Sequence, residues 1–134
     1  MMKKILFTGG TGFLGRNLLP SLREKYVVYA PSRSELNLTD TDVLKQYVIS
    51  HNFDVIIHAA IPNISFHKDK EENLLKDSLS TFMALYQLQN YYDKLLYFGS
   101  GAEFNKDKPI ISISENDFGK EIPQSDYGFA KYIM

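Results

Sequence analysis

Three regularly spaced glycines follow the first apolar run of the chain. Gly9, Gly12 and Gly15 come directly after the β-rich segment Ile5–Thr8. With eight glycines in 134 residues, three at this spacing are expected by chance only about 0.03 times. Leucines at helical spacing come next, at Leu14, Leu18 and Leu22. The segment predicts a strand, a turn and a helix, because a glycine-rich hairpin would need a second strand where the leucines indicate a helix.

A turn of this composition suits a particular ligand chemistry. Backbone N–H groups at a helix N-terminus attract a pyrophosphate, and glycines place no side chain in its way. The last glycine of such an array also lets the helix and the strand approach closely. We therefore predict a dinucleotide-binding turn at Gly9–Gly15.

Short apolar runs alternate with helical patterns along the chain, which is typical of βαβ units. Their apolar residues are continuous, as in strands covered by helices on both faces, so we expect an internal sheet. The predicted fold class is α/β, a Rossmann-type doubly wound parallel sheet. The predicted strands are Ile5–Thr8, Val27–Ala30, Val55–His58 and Leu95–Phe98.

Two further helices are predicted between the strands. Thr39 and Asp42 form a capping pair before an apolar stripe made of Val43, Leu44, Tyr47 and Val48. A longer helix is predicted from about Glu72 to Tyr91. Its apolar stripe, which we expect to pack on the sheet, consists of Leu75, Leu79, Phe82, Met83 and Tyr86. Residues 105–123, rich in charged residues, Ser, Asn and Pro, predict an irregular connection.

Length, charge and the absence of cysteine restrict the class of protein. A chain of 134 residues is expected to form one domain, residues 1–134, around one core. The chain has no cysteine, which fits a reducing cytoplasm, and 15 basic against 16 acidic residues. Without a basic block or a long apolar segment, neither a nucleic-acid surface nor a membrane anchor is expected. His51, His58 and His67 lack metal-ligand spacing, so no metal site is expected.

The segment Thr8–Gly15 resembles the fingerprint of the extended short-chain dehydrogenase/reductases, the NAD-dependent epimerase/dehydratase family. The resemblance covers the whole chain and is strongest to the GDP-fucose synthases and dTDP-4-dehydrorhamnose reductases. It implies a nicotinamide dinucleotide as cofactor and a nucleotide-linked sugar as substrate. The turn residues that it implies as cofactor contacts are Gly9, Thr11, Gly12, Phe13, Leu14 and Gly15.

The end of the second strand decides between the two nicotinamide dinucleotides. An acidic residue there would bind the ribose 2′-hydroxyl, whereas a basic one would bind a 2′-phosphate. The segment Tyr29–Arg33 contains no acid, so Ser32 and Arg33 favour NADP(H) over NAD(H), although a loop arginine can also be simply solvated. By resemblance, Asn37 and Leu38 touch the adenine. Ala59 and Ala60, in the motif of the family's fourth strand, are implied to pass under the cofactor.

Tyr127 and Lys131 lie four residues apart, on one face of a predicted helix. Chance alone would give about 0.8 such pairs here, so the spacing means little without its context. That context is Ser100, which follows the predicted strand Leu95–Phe98, at the edge where open α/β sheets bind ligands.

Hydride transfer requires a proton to move at the substrate oxygen, and a phenol becomes a useful base when an ammonium stabilises its phenolate. Ser100, Tyr127 and Lys131 are therefore the predicted catalytic residues, with Ser100 orienting the reacting oxygen. The family resemblance counts Tyr127 and Lys131 as cofactor contacts too.

Departures from the family pattern narrow the reaction. Gly101 and Ala102 follow Ser100 where sugar dehydratases have an Asp-Glu pair, and Glu103 lies one place too far. Ala102 also stands where GDP-fucose synthases have a cysteine used in epimerisation. Ketone reduction and hydride-mediated 4-epimerisation both remain open. The alternative is a non-catalytic dinucleotide-binding module with a regulatory or redox-sensing role.

Family members are about twice as long as this chain, which ends at Met134 inside the Tyr/Lys helix. We therefore expect a C-terminally truncated Rossmann domain that lacks the substrate domain and does not turn over substrate alone. The oligomeric state is left open, a homodimer included.

Overall fold

A computed structural model describes residues 1–61 and 73–134. By their internal contacts the residues group into two compact units, which are described separately. The first comprises Met1–Pro62 and Ser80–Phe98, and the second comprises Asn63–Leu79 and Gly99–Met134. The single domain predicted for residues 1–134 stays a prediction.

The first unit contains a four-stranded parallel sheet of order β2-β1-β3-β4. The strands are β1 (Lys4–Thr8), β2 (Val27–Tyr29), β3 (Val55–His58) and β4 (Lys94–Tyr97). All four coincide with predicted strands, with ends that differ by at most one residue. Along the central pair, Phe7 lies opposite Ile57 and Thr8 opposite His58.

The α-helices are α1 (Phe13–Arg23), α2 (Thr41–His51), α3 (Leu74–Gln87) and α4 (Asp126–Ile133). The helix predicted from Glu72 to Tyr91 ends at Gln87 and is followed by a separate 3-10 turn, Gln89–Tyr91. Its predicted start, Glu72, lies outside the described residues. Residues 105–123 are irregular, as predicted, apart from the 3-10 turn Glu115–Asp117.

Alternating residues of β1 and β3 place one hydrophobic cluster on each face of the sheet. Leu6 and Ile56 pack with residues of α2 and α3, while Phe7 and Ile57 pack with Leu19 of α1. Helices therefore cover both faces, which confirms the predicted doubly wound α/β fold of Rossmann type. The expected internal sheet is found at the central strands, where Leu6, Phe7, Ile56 and Ile57 are buried. In the edge strands, Val27 of β2 and Leu96 of β4 are exposed.

Two details of the predicted helices are wrong. Asp40, not Thr39, caps α2, since its carboxylate accepts the Val43 amide at 3.1 Å. The buried face of α3 in the first unit contains Thr81, Ala84 and Leu85, whereas Met83 and Tyr86 are exposed. The buried stripe of α3 is thus shifted by about one residue from the predicted stripe.

Candidate functional site

The order of the strands defines a site at the carboxyl ends of β1 and β3. The chain passes from β1 to β2 on one side, then returns across β1 to β3 on the other. Open α/β sheets bind ligands outside the carboxyl ends of strands at such a reversal. Both segments that leave this point, Gly9–Gly15 after β1 and Ala59–Ala60 after β3, contain predicted cofactor contacts.

Gly9 brings these two segments into backbone contact. A Cβ on Gly9 would lie 2.7 Å from the Ala60 amide nitrogen and 2.9 Å from the Ala59 carbonyl carbon. Its φ of +80° also lies in the left-handed region that side chains disfavour. Only glycine fits at this position, so the turn leaves β1 as bare main chain.

Gly12 and Gly15 shape the start of α1. Gly12 is the N-cap residue and has no side chain to satisfy the first helical amides, while its own amide donates to the Gly9 carbonyl at 3.0 Å. A Cβ on Gly15 would overlap the backbone of Gly10, so the third glycine packs the helix against the turn rather than against a strand.

The amides of residues 13–15 have no acceptor within the helix, as at any helix N-terminus. Thr11 and Phe13 are exposed at this point, and Leu14 is half-buried. The bare turn and its unsatisfied donors are a steric and electrostatic match for a pyrophosphate.

A buried hydrogen bond fixes the adjoining ends of β1 and β3. Thr8 Oγ1 lies 2.8 Å from His58 Nδ1, and the Ala60 amide donates to the same hydroxyl at 3.3 Å. Thr8 and His58 are both almost fully buried. These bonds favour a structural role for His58, and they fix the position of Ala60 beside Gly9.

The predicted 2′-phosphate contacts lie in the loop after β2. Arg33 is exposed, and Ser32 is half-buried. Farther on, Asn37 Oδ1 accepts hydrogen bonds from the amide and hydroxyl of Thr39. The Leu38 carbonyl accepts one from the buried Thr81 of α3 at 3.0 Å. The segment predicted to line the adenine is therefore attached to the core.

Glu35, in the same loop, was not predicted as a site residue. Its Oε2 atom accepts hydrogen bonds from the Ser32 amide at 2.7 Å and from the Ser32 hydroxyl at 2.8 Å. These bonds lower the pKa of the Glu35 carboxyl, the backbone bond more than the hydroxyl bond. The sequence signal was available, because Ser32 and Glu35 have the S-x-x-E spacing of a capping box.

The predicted catalytic residues belong to the second unit. Ser100 precedes the 3-10 turn Gly101–Phe104, and its Oγ accepts the Ala102 amide at 3.2 Å. A hydroxyl that accepts in this way keeps its proton for donation. The Ser100 oxygen thus accepts the Ala102 amide, and the hydroxyl hydrogen can be donated to a further oxygen.

Helix α4 carries Tyr127 and Lys131 one turn apart. Its N-cap is Ser125, whose hydroxyl accepts the Gly128 amide at 3.1 Å. A Cβ on Gly128 would lie 2.7 Å from the Ala102 carbonyl oxygen. Gly128 therefore lets α4 pack directly against the turn that begins after Ser100, and both elements belong to one compact unit.

Lys131 is buried, with 8% of its surface exposed. Burial lowers the pKa of its ammonium, and the carboxylate of Glu103 opposes that change. Both oxygens of that carboxylate lie over Gly99, 3.6 and 3.7 Å from the position of a Cβ there. A desolvated ammonium interacts more strongly with a neighbouring anion than an exposed one does.

Residues 1–61 and 73–134 form no group of three or more His, Asp or Glu side chains that could hold a metal ion. Every helix in these stretches is too short or too polar to cross a membrane.

The sheet and its bare glycine turn define a Rossmann-type fold of the dinucleotide-binding class. The sequence profile of the NAD dependent epimerase/dehydratase family matches residues 5–134. The chain therefore belongs to that family, as the fingerprint predicted.

Named relatives agree with this placement. GDP-L-colitose synthase of Yersinia pseudotuberculosis is 31% identical over 132 residues, covering 95% of this chain and 43% of that protein. A GDP-L-fucose synthetase from Naegleria fowleri, solved bound to NADP, superposes with a TM-score of 0.84 at 21% identity, covering 98% of this chain and 45% of that one. The dTDP-4-dehydrorhamnose reductase of Yersinia enterocolitica superposes with a TM-score of 0.79 at 26% identity, covering 98% of this chain and 46% of that one. The chain thus spans less than half the length of these relatives.

Proposed function

We propose that the chain binds a nicotinamide dinucleotide and supplies the proton-transfer residues of a nucleotide-sugar oxidoreductase or epimerase. The observation that carries the proposal is the backbone contact between Gly9 and Ala60. It leaves no room for a side chain at residue 9, and the first amides of α1, which begins four residues later, have no acceptor within the helix and suit a pyrophosphate. The relatives named above, a sugar-nucleotide synthase, a synthetase and a reductase, support the substrate class.

The cofactor contacts in this proposal are those of the first unit. The backbone from Gly9 to Gly15 holds the pyrophosphate, and Ala59 and Ala60 leave room beneath the cofactor. Asn37 and Leu38 line the adenine. Arg33, with its permanent positive charge, gives a preference for NADP(H) over NAD(H), since only the former carries a 2′-phosphate.

The chemical step uses the second unit. When bound, the nicotinamide gives or takes the hydride. Tyr127 moves the proton at the sugar oxygen, and the ammonium of Lys131 favours its phenolate. Ser100 donates a hydrogen bond from its hydroxyl to the same oxygen and orients it. Since Gly101 and Ala102 follow Ser100, there is no acid or thiol at either position, so reduction or hydride-mediated epimerisation fits better than dehydration.

Binding tests the cofactor half of this proposal, because it needs no turnover. Calorimetric titration with NADPH and NADH should give saturable binding of both, tighter for NADPH. Arg33→Ala should remove most of that preference and leave NADH affinity unchanged. Lys25→Ala is the matched control, since Lys25 is an exposed cation beyond the far end of α1. No binding of either dinucleotide would contradict the proposal.

Binding also tests the catalytic half, because the family resemblance makes Lys131 a cofactor contact as well. Lys131→Met should weaken NADPH binding, whereas Lys106→Met, at an exposed lysine, should leave it unchanged. Equal NADPH affinities of the wild type and Lys131→Met would contradict the role proposed for Lys131.

A further inference from the structure

The loop after β2 folds back on itself through one carboxylate. Glu35 Oε2 accepts both donors of Ser32, its amide at 2.7 Å and its hydroxyl at 2.8 Å. The Ser32 carbonyl in turn accepts the amides of Glu35 at 3.1 Å and Leu36 at 2.9 Å. Leu36 is buried in the core, so the turn is anchored at its far end. An anion therefore occupies the two donors that precede Arg33.

Ser32 and Arg33 are the residues predicted to contact a 2′-phosphate, so a bound NADP(H) would need the same two donors of Ser32. A single N–H or O–H group cannot serve two anions at full strength, and a carboxylate and a phosphate compete for it with charges of the same sign. The Ser34 hydroxyl lies 2.9 Å from that of Ser32 and belongs to the same network. A phosphate reaching this loop has to displace the carboxylate or accept its repulsion.

A ribose with a free 2′-hydroxyl, as in NAD(H), is not repelled by the Glu35 carboxylate. A hydroxyl is neutral and can donate to a carboxylate, which is the usual means by which an acid selects the unphosphorylated dinucleotide. The pKa of the Glu35 carboxyl is lowered by its Ser32 bonds, so the group is ionised at neutral pH. Arg33 and Glu35 thus favour different cofactors from positions two residues apart.

We propose that Glu35 is a specificity-determining residue whose carboxylate competes with the 2′-phosphate for Ser32 and limits the NADP(H) preference given by Arg33. The inference rests on the proposed function, because it requires a dinucleotide at the carboxyl ends of β1 and β3. If Glu35 acts in this way, NADPH and NADH bind with affinities of the same order. The preference between them is then limited by Glu35, which lies outside the segment Tyr29–Arg33 where the family rule places an acid.

Two matched substitutions test the inference. Glu35→Gln removes the charge but keeps a carbonyl oxygen that can accept from Ser32. Glu24→Gln removes an equal charge from an exposed residue just after Arg23, at the opposite end of α1 from the glycine turn. Dissociation constants for NADPH and NADH are measured by calorimetry for the wild type and both variants, after circular dichroism has verified their fold.

We expect Glu35→Gln to tighten NADPH about tenfold and to leave NADH unchanged or up to about threefold weaker. Glu24→Gln should change neither constant. An unchanged ratio of the two constants in Glu35→Gln, with binding retained, would overturn the inference and leave the proposed function intact. Failure of the wild type to bind either dinucleotide would overturn both.

A measurement on the wild type covers the case in which Glu35→Gln does not fold. The amide resonance of Ser32 reports directly on its acceptor. Saturating NADPH should shift it, because the phosphate displaces the carboxylate, while NADH should leave it nearly unmoved. Equal shifts with the two dinucleotides would overturn the inference.

Discussion

Gly9 lies against Ala60 so closely that a β-carbon on Gly9 would come within 2.7 Å of the Ala60 amide nitrogen. The contact joins the segments that leave the two central strands, on either side of the point where the order of the sheet reverses. Stability and cofactor binding should therefore depend on the same few atoms.

Gly9→Ala should lower the free energy of unfolding by about 2–4 kcal/mol, since it adds both a steric overlap and a left-handed alanine. Chemical denaturation measures the change. Gly101→Ala is the control, because a Cβ there meets nothing within 4 Å. Equal stability of the two variants would contradict the close contact.

Thr8→Val should cost about 1–3 kcal/mol of unfolding free energy, because it removes a buried hydroxyl that bonds to both His58 and the Ala60 amide. Thr8→Ser keeps the hydroxyl and should recover most of the loss. If the serine variant is as unstable as the valine variant, packing of the methyl group and not the hydrogen bond accounts for the effect.

Asp40→Ala should destabilise the protein by about 1 kcal/mol through loss of the N-cap of α2. Thr39→Ala should cost less, since its hydroxyl donates to Asn37 Oδ1 and caps no helix. Thermal unfolding of the two variants compares them directly. A larger loss in Thr39→Ala would restore the capping pair predicted from the sequence.

Because the pKa of Lys131 is lowered in the folded protein, the free energy of unfolding should rise at alkaline pH. The folded-state pKa of Lys131 lies below the ordinary value of 10.5, first because of burial and despite the opposing charge of Glu103. Between those two pKa values the unfolded chain binds more protons, so the free energy of unfolding increases with pH.

The difference between wild type and Lys131→Met, measured by urea denaturation, should therefore grow in favour of the wild type as the pH rises toward 10.5. Lys106→Met, at an exposed lysine, should show no such trend. A flat difference for Lys131→Met would contradict the depressed pKa.

The sequence predicted the central strands and the glycine turn because their signals are local. A continuous apolar run such as Ile5–Phe7 leaves few alternatives to a buried strand, and three glycines at fixed spacing suit few turns. It failed on α3, where the large residues Met83 and Tyr86 suggested the buried face. Thr81, Ala84 and Leu85 are buried there instead, so the size of a side chain alone does not identify the buried face.

In the loop after β2, too, local sequence signals missed a residue of the candidate site. The family rule places an acid at the end of the second strand, and the segment Tyr29–Arg33 contains none. The backbone turn from Ser32 to Leu36 brings Glu35 back to Ser32. Only the fold of the loop makes this contact visible, although the S-x-x-E spacing gave a hint.

The most direct test of the account is a map of backbone amide shifts on addition of NADPH. We expect saturable shifts concentrated at residues 9–15 and 59–60, with the amides of Thr11, Gly12 and Phe13 among the largest. Saturable binding without shifts in the β1–α1 turn would place the cofactor elsewhere. The absence of any saturable shift would contradict the claim that this turn holds a dinucleotide.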